Sequence, residues 1–135
     1  MKRRCGLYWV VTGLMAVFML MASVPDVLRA TQAIEVFDRL GYPSYLLPFL
    51  GTAKCLGVAA VLLPRFPRVT EWAFAGLTFD LLGALYSHLS IGDPARVWSF
   101  PLLGLVLVTS AYAAFRGQAV ASAELEPESR AGFTC

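Results

Sequence analysis

Two opposite charges lie inside long apolar stretches of this chain. Lys54 lies within an apolar run from residue 45 to 63, and Asp80 lies within a second run from 72 to 91. A charge at the centre of a membrane helix costs about 2.5 to 3.5 kcal/mol, which apolar residues offset by only a few tenths each. Such groups therefore pair with each other or with a bound molecule, and in membranes they often mark proton, ion or ligand sites.

Lys54 and Asp80 are predicted to lie at similar depth in a bilayer. By the helical rise, Lys54 is about 13 Å from the outer boundary and Asp80 about 12 Å from the inner one. In an apolar core about 30 Å thick these depths differ by about 5 Å, which a lysine side chain can bridge. The pair has two interpretations: a binding or proton site, or a structural pair that fixes the register of two helices.

His88 is the one histidine of the chain. Gly76, Asp80, Ala84 and His88 recur every fourth residue and so lie near one face of a helix. Because histidine can change charge near neutral pH, one interpretation is a polar track from the outer surface past His88 to Asp80. The alternative is an interfacial histidine that is hydrogen-bonded to Ser87 or to a lipid headgroup. One histidine near one carboxylate does not predict a metal site.

The cysteines do not predict a redox pair. Cys5, Cys55 and Cys135 are an odd number without a CxxC motif. Cys55 is expected to be a small core residue, with an activated thiol as the alternative, and Cys5 is a candidate for palmitoylation. Since phosphate loops, nucleophile motifs and zinc spacings are also missing from the sequence, we predict no catalytic residue, metal or cofactor, which favours a nonenzymatic protein.

Four apolar segments must position these residues. Hydrophobic residues make up 58% of the chain and charged residues 15%, which is outside the range of an ordinary soluble domain. Each segment has about the length that a helix needs to cross a bilayer. We therefore predict an all-α, polytopic transmembrane four-helix bundle over residues 1–117. The predicted spans are residues 7–24, 45–63, 72–91 and 98–115, and a cleaved signal peptide is the alternative for the first.

The connections between the spans carry helix-ending residues. Pro25 is expected to close the first span, and Pro101 is expected in the first turn of the fourth. Residues 34–40 have helical spacing with one apolar side and are followed by Gly41, a helix stop. They predict a short amphipathic segment on the outer face, with a solvated loop as the alternative. The small, polar and acidic residues of 118–135 predict a disordered cytoplasmic tail.

Basic residues predict the orientation of the chain. Three basic residues, Arg29, Arg39 and Arg96, fall on one side of the predicted bundle, among four acidic ones. The other side carries Lys2, Arg3, Arg4, Arg65, Arg68 and Arg116. The positive-inside rule places this second side, with both termini, in the cytoplasm. Aromatic residues agree with that frame: Tyr8, Trp9 and Trp72 fall at the inner boundary, and Tyr42, Tyr45 and Trp98 fall at the outer one.

A series of short motifs runs through these segments. In order they are Leu40-Gly41-Tyr42-Pro43, Leu50-Gly51-Thr52-Ala53-Lys54, Leu62-Leu63-Pro64-Arg65-Phe66-Pro67, Glu71-Trp72-Ala73, Phe79-Asp80, Ser87-His88 and Gly92-Asp93-Pro94. Over residues 7–115 the series resembles the DoxX-like family of four-span bacterial membrane proteins. The resemblance implies a four-helix bundle in the bacterial inner membrane, with Lys54 and Asp80 as characteristic residues. Many members carry a lysine just after the first span, where this chain has Asp26 and Arg29.

The resemblance implies no single activity. The family resembles both the small subunit of a thiosulfate:quinone oxidoreductase and a eukaryotic receptor-assembly chaperone. We therefore expect a nonenzymatic scaffold or an accessory subunit of a membrane complex, with a redox- or quinone-linked complex as one form of it. Its partners would be the lipid bilayer, a second copy or a membrane redox protein, and not nucleic acid. The alternatives are a small-molecule or proton-coupled carrier, and a lipid- or quinone-binding protein that uses the Lys54–Asp80 pair.

Overall fold

Five α-helices form the described part of the chain. The computed structural model describes the backbone of residues 2–63 and 65–131, and the side chains of residues 6–63, 65–118 and 120. The helices are α1 (Lys2–Val27), α2 (Thr31–Leu40), α3 (Leu46–Leu62), α4 (Pro67–Ser90) and α5 (Ala95–Ala131). Since the described residues contain no strand, the all-α prediction is confirmed.

Two of these helices are long and apolar enough to cross a membrane. They are α1 over Gly6–Val27 and α5 over Ala95–Gln118. The apolar helix α3 has 17 residues. At the usual rise this is about 26 Å, slightly less than the apolar core of a bilayer. α4 is longer, with 24 residues, but includes Asp80 and other polar side chains. The apolar helices indicate a membrane protein, with two candidate spanning helices where the sequence predicts four.

The four long helices, α1, α3, α4 and α5, pack around one core. α1 packs against α3 and α5, α4 packs against the same two helices, and the short α2 contacts α1 and α3. Three contacts join the start of one helix to the later part of its neighbour: Tyr8 with Val61, Thr70 with Ala60, and Phe74 with Phe115. Each of these neighbouring pairs is therefore antiparallel.

Both the interior and the outer surface of the molecule are apolar. All four long helices contribute to the core, with Met15, Val61, Leu77 and Val108 among its buried residues. Large apolar side chains also cover the outside, including Phe49, Trp72 and Phe79, which are 67, 82 and 73% exposed. A soluble protein would cover its helices with polar residues, whereas a surface of this kind suits contact with lipid.

α2 is the predicted amphipathic helix between the first two apolar segments. It ends at Gly41, whose φ of 79° lies in the left-handed region that glycine adopts without strain. The amide of Gly41 donates to the carbonyl of Asp38, and that of Tyr42 donates to the carbonyl of Phe37. This hydrogen-bonding pattern closes the helix as the sequence predicts.

Three helix boundaries differ from those predicted. α1 continues through Pro25 to Val27 instead of ending at the proline. α5 begins at Ala95, so Pro101 is its seventh residue and lies beyond the first turn. α5 also continues to Ala131, so residues 118–131 are helical where the sequence predicts a disordered tail; residues 132–135 lie outside the described part. The division of the chain at residue 117 stays a prediction.

Candidate functional site

Lys54 joins carboxylates from two other helices. Its Nζ lies 3.0 Å from Oδ2 of Asp26 and 3.5 Å from Oδ2 of Asp80, so α1, α3 and α4 each supply one residue. The three side chains are mostly buried, with exposed fractions of 13 to 18%. Charges withdrawn from water are stable only when they are paired. We call Asp26, Lys54 and Asp80 the polar triad; it connects three helices at one level of the molecule.

Glycines bring the triad's helices together. A Cβ on Gly51 would lie 2.8 Å from Cγ2 and 2.9 Å from the backbone nitrogen of Val27, so only glycine lets α1 and α3 approach this closely. Because Lys54 follows Gly51 by about one turn, it lies beside Asp26 near the end of α1. Between α3 and α4, Leu77 packs over Gly57, where a Cβ would lie 3.2 Å from Cδ2 of Leu77.

A second polar cluster lies beside α2. Nδ1 of His88 is 2.6 Å from Oδ2 of Asp93, and the guanidinium of Arg39 is 3.3 Å from the same oxygen. An ionised carboxylate only accepts hydrogen bonds, so both nitrogens donate to it. The histidine's partner is therefore Asp93, where the sequence suggests Ser87 or a headgroup. Since Arg39 belongs to α2, this cluster ties α2 to the connection between α4 and α5.

Ser87 makes a further tie to the α2 side of the molecule. Its hydroxyl is 2.7 Å from the carbonyl of Gly83 and donates to it, as serine in a helix commonly does. The Tyr42 hydroxyl lies 2.9 Å from Oγ of Ser87. Because the single hydrogen of Ser87 is used within α4, Tyr42 is the donor of this bond. The residue directly after α2 and Gly41 is thus also anchored to α4.

A cavity of about 560 Å³ lies beneath α2 and ends at the polar triad. We call it the α2 cavity. Its walls are mainly apolar and include Val36, Phe37 and Phe100. Asp26, Lys54, Asp80, Ser87 and His88 supply its polar groups. His88 and the triad line the same cavity, which has the mixed lining typical of small-molecule sites. The polar track through His88 stays a prediction.

A second opening reaches the triad from another side. This groove, of about 600 Å³, runs between α3 and α4 and is lined by small residues such as Gly57 and Gly76. We call it the α3–α4 groove. It shares Leu50, Lys54, Phe79 and Asp80 with the α2 cavity. The charged centre of the molecule is therefore bordered by two openings.

The described residues offer charged groups to a ligand at the triad. They contain no cluster of three potential metal ligands. Cys55 is a free, partly buried thiol and lines neither opening, and its role as a small core residue stays a prediction. The side chain of Cys5 and the whole of Cys135 lie outside the described residues. The triad offers carboxylate acceptors and an ammonium donor for a polar ligand group.

The family of the chain follows from a comparison with protein families. The model of the DoxX-like family matches residues 10–111. The chain belongs to the DoxX-like family. The matched region of this DoxX-like protein contains the triad, His88 and α2. Searches of curated proteins and of solved structures found no match.

Sequence reasoning singled out Lys54, Asp80 and His88 in this DoxX-like protein but missed Asp26 and Asp93. Asp26 was counted with the charged residues of the outer connection, since it follows Pro25 at the end of an apolar segment. One signal pointed to it: Asp26 is among the residues found where many DoxX-like proteins carry a lysine. Asp93 lies in the short Gly92–Pro94 connection, and its position gave no comparable sign.

Proposed function

We propose that this DoxX-like chain is a four-span protein of the bacterial cytoplasmic membrane, with both termini in the cytoplasm and α2 on the outer face. The arrangement of charges supports this orientation. Arg65, Arg68 and Arg116 lie at one end of the long helices, together with the start of α1. The end beside α2 carries three basic residues, Arg29, Arg39 and Arg96, against six at the other end.

Within that frame, the chain acts as a nonenzymatic accessory subunit that holds a quinone or a lipid in the α2 cavity. The observation that carries this proposal is the cavity itself, with apolar walls and a charged end at the triad. An amphiphilic molecule would place its apolar part along Val36 and Phe37 and its polar group at Lys54 and Asp80. Its expected partners are a membrane redox protein or a second copy of the chain.

The proposal is tested by filling one opening at a time. Gly83 lines the α2 cavity and Gly76 lines the α3–α4 groove, and a Cβ on either meets no atom within 4 Å. Gly83→Leu should expel a quinone or lipid that copurifies with the wild-type protein, whereas Gly76→Leu should retain it. Mass spectrometry of the extracted small molecules and of copurifying proteins gives the readout.

Gly13→Leu is the matched control on α1, because Gly13 lines neither opening and also has free space around its Cβ. All three substitutions exchange glycine for leucine within a helix, so their effects on helix propensity are similar. If all three variants retain the same small molecules as the wild type, the ligand does not lie in the α2 cavity and the proposal is wrong.

A second candidate function is a small-molecule or proton-coupled carrier. The observation that favours it is the position of Lys54 and Asp80, which border two openings at once. Four short helices would support transport only as an oligomer. If the chain is a carrier, the wild-type protein should take up the molecule into reconstituted vesicles, and Gly76→Leu should keep the bound molecule but stop its uptake. An accessory subunit would show no uptake even as the wild-type protein.

A further inference from the structure

The charges around the α2 cavity do not balance. Asp26 and Asp80 contribute two negative charges, and Lys54 contributes one positive charge. His88 also lines the cavity, and it already has Asp93 as its partner. Arg39, the basic residue of the neighbouring cluster, pairs with Asp93 as well. Among Asp26, Asp80 and Lys54, the lining thus has one carboxylate more than it has ammonium groups.

An uncompensated charge in an apolar cavity is unfavourable, so a group that neutralises it should bind there. A proton could neutralise one carboxylate, or a positively charged ligand could enter and pair with it. Aromatic side chains on the wall, including Phe37, Tyr42, Phe79 and Phe100, would favour the second outcome, because aromatic rings attract cations. An inorganic cation would leave the apolar walls of the cavity without a contact.

We propose that the α2 cavity selects lipophilic organic cations, which bind with the charged group at Asp80 and the apolar body against the aromatic wall. This inference rests on the proposed function only in that the same α2 cavity binds amphiphiles; among amphiphiles it favours those with a positively charged group over neutral ones such as quinones. Asp80 is the better partner of the two carboxylates. Lys54 donates a hydrogen bond to Asp26 at 3.0 Å, but its Nζ is 3.5 Å from Asp80.

Three probes of similar shape and different charge test the proposal. They are tetraphenylphosphonium, a cation; tetraphenylsilane, which is neutral; and tetraphenylborate, an anion. Equilibrium dialysis against the detergent-solubilised full chain measures the affinity for each. The wild-type protein should bind the cation at least about tenfold more tightly than the neutral probe, as expected for a new charge pair in a poorly solvated site. It should bind the anion more weakly still.

Variants then locate the charge that selects the probe. Asp80→Asn keeps the shape of the side chain and should reduce the affinity for tetraphenylphosphonium by about tenfold, without affecting the neutral probe. Glu71→Gln removes a carboxylate at the far end of α4, where Glu71 pairs with Arg116, and should bind as the wild type does. The comparison of probes on the wild-type protein needs no variant, so it remains decisive if Asp80→Asn fails to fold.

The outcomes distinguish a failure of this inference about charge from a failure of the proposed function. If cation and neutral probe bind equally, and Gly83→Leu abolishes both, the cavity binds amphiphiles but the inference about charge is overturned. If Gly83→Leu changes the affinity for none of the probes, the cavity is not a binding site and both proposals are wrong. Tighter binding of the anion would also overturn the inference.

Discussion

At the scale of single residues, Lys54 differs from its two partners because it makes both ion pairs of the triad. Lys54→Met leaves Asp26 and Asp80 together without a cation, and loss of one partner from a buried pair costs about 3–5 kcal/mol. Asp80→Asn leaves the pair of Lys54 with Asp26 in place and should cost less. Reversible unfolding of the purified variants in detergent measures the two free energies.

The control for this comparison is the exposed pair at the other end of the molecule. Glu71 and Arg116 lie 3.2 Å apart, with side chains 42 and 58% exposed. Glu71→Gln should therefore change the free energy of unfolding by about 1 kcal/mol or less. Equal losses of stability for Lys54→Met and Asp80→Asn would contradict the view that Lys54 serves both carboxylates.

Tyr8 shows why the surroundings of a residue are hard to predict from composition. Its position near the end of an apolar segment predicts an aromatic side chain at the inner membrane boundary. In the structure Tyr8 is only 2% exposed, and its hydroxyl donates to the carbonyl of Val61 at 3.4 Å. Trp72, predicted at the same boundary, is 82% exposed. Both belong to apolar segments, and only packing decides which one faces inward.

At the scale of helices, the approach of α1 to α3 depends on Gly51. Gly51→Ala would place a Cβ 2.9 Å from the backbone nitrogen of Val27, which cannot move without its helix. We expect a loss of about 1–3 kcal/mol in the free energy of unfolding, as for other overpacked contacts. The substitution should also separate Asp26 from Lys54.

Gly76→Ala is the matched control, because a Cβ on Gly76 meets no atom within 4 Å. It makes the same change in the middle of a helix and should stabilise the protein by up to about 1 kcal/mol through helix propensity. Unfolding in detergent gives both values under the same conditions. If Gly51→Ala is as stable as Gly76→Ala, α1 and α3 do not meet as closely as described.

At the scale of the whole molecule, the number of spans can be tested by labelling. Four spans place α2 and the connection between α3 and α4 on opposite sides of the membrane, whereas two spans, α1 and α5, place them on the same side. Glu35→Cys on α2 and Arg65→Cys in the connection report these positions, and both native residues are exposed. An impermeant maleimide added to intact spheroplasts should label Glu35→Cys, and should reach Arg65→Cys only after the membrane is opened.

The labelling needs a background without native thiols, in which Cys5, Cys55 and Cys135 are replaced by serine. That background protein, treated in the same way, should remain unlabelled. Labelling of both introduced cysteines in intact spheroplasts would contradict the four-span topology. Labelling of Arg65→Cys alone would mean that the orientation is inverted with respect to the basic residues.

The amino-acid sequence by itself determined the features that depend on local pattern. The apolar runs predict helices because their length and composition suit a bilayer, and the spacing of residues 34–40 with Gly41 predicts α2 and its end. Lys54 and Asp80 are predicted as site residues because their charges interrupt such runs. The structure places the two side chains 3.5 Å apart. The order of short motifs was sufficient to identify the DoxX-like family.

Only the tertiary structure decided which groups meet. Asp26 joins Lys54 because α1 and α3 make close contact at Gly51, and His88 pairs with Asp93 because the connection after α4 turns back towards it. The α2 cavity exists because α2 lies over the ends of the long helices. These features depend on the rotation and approach of separate helices. Packing between residues far apart in the chain sets both, and the periodicity of one segment carries no information about them.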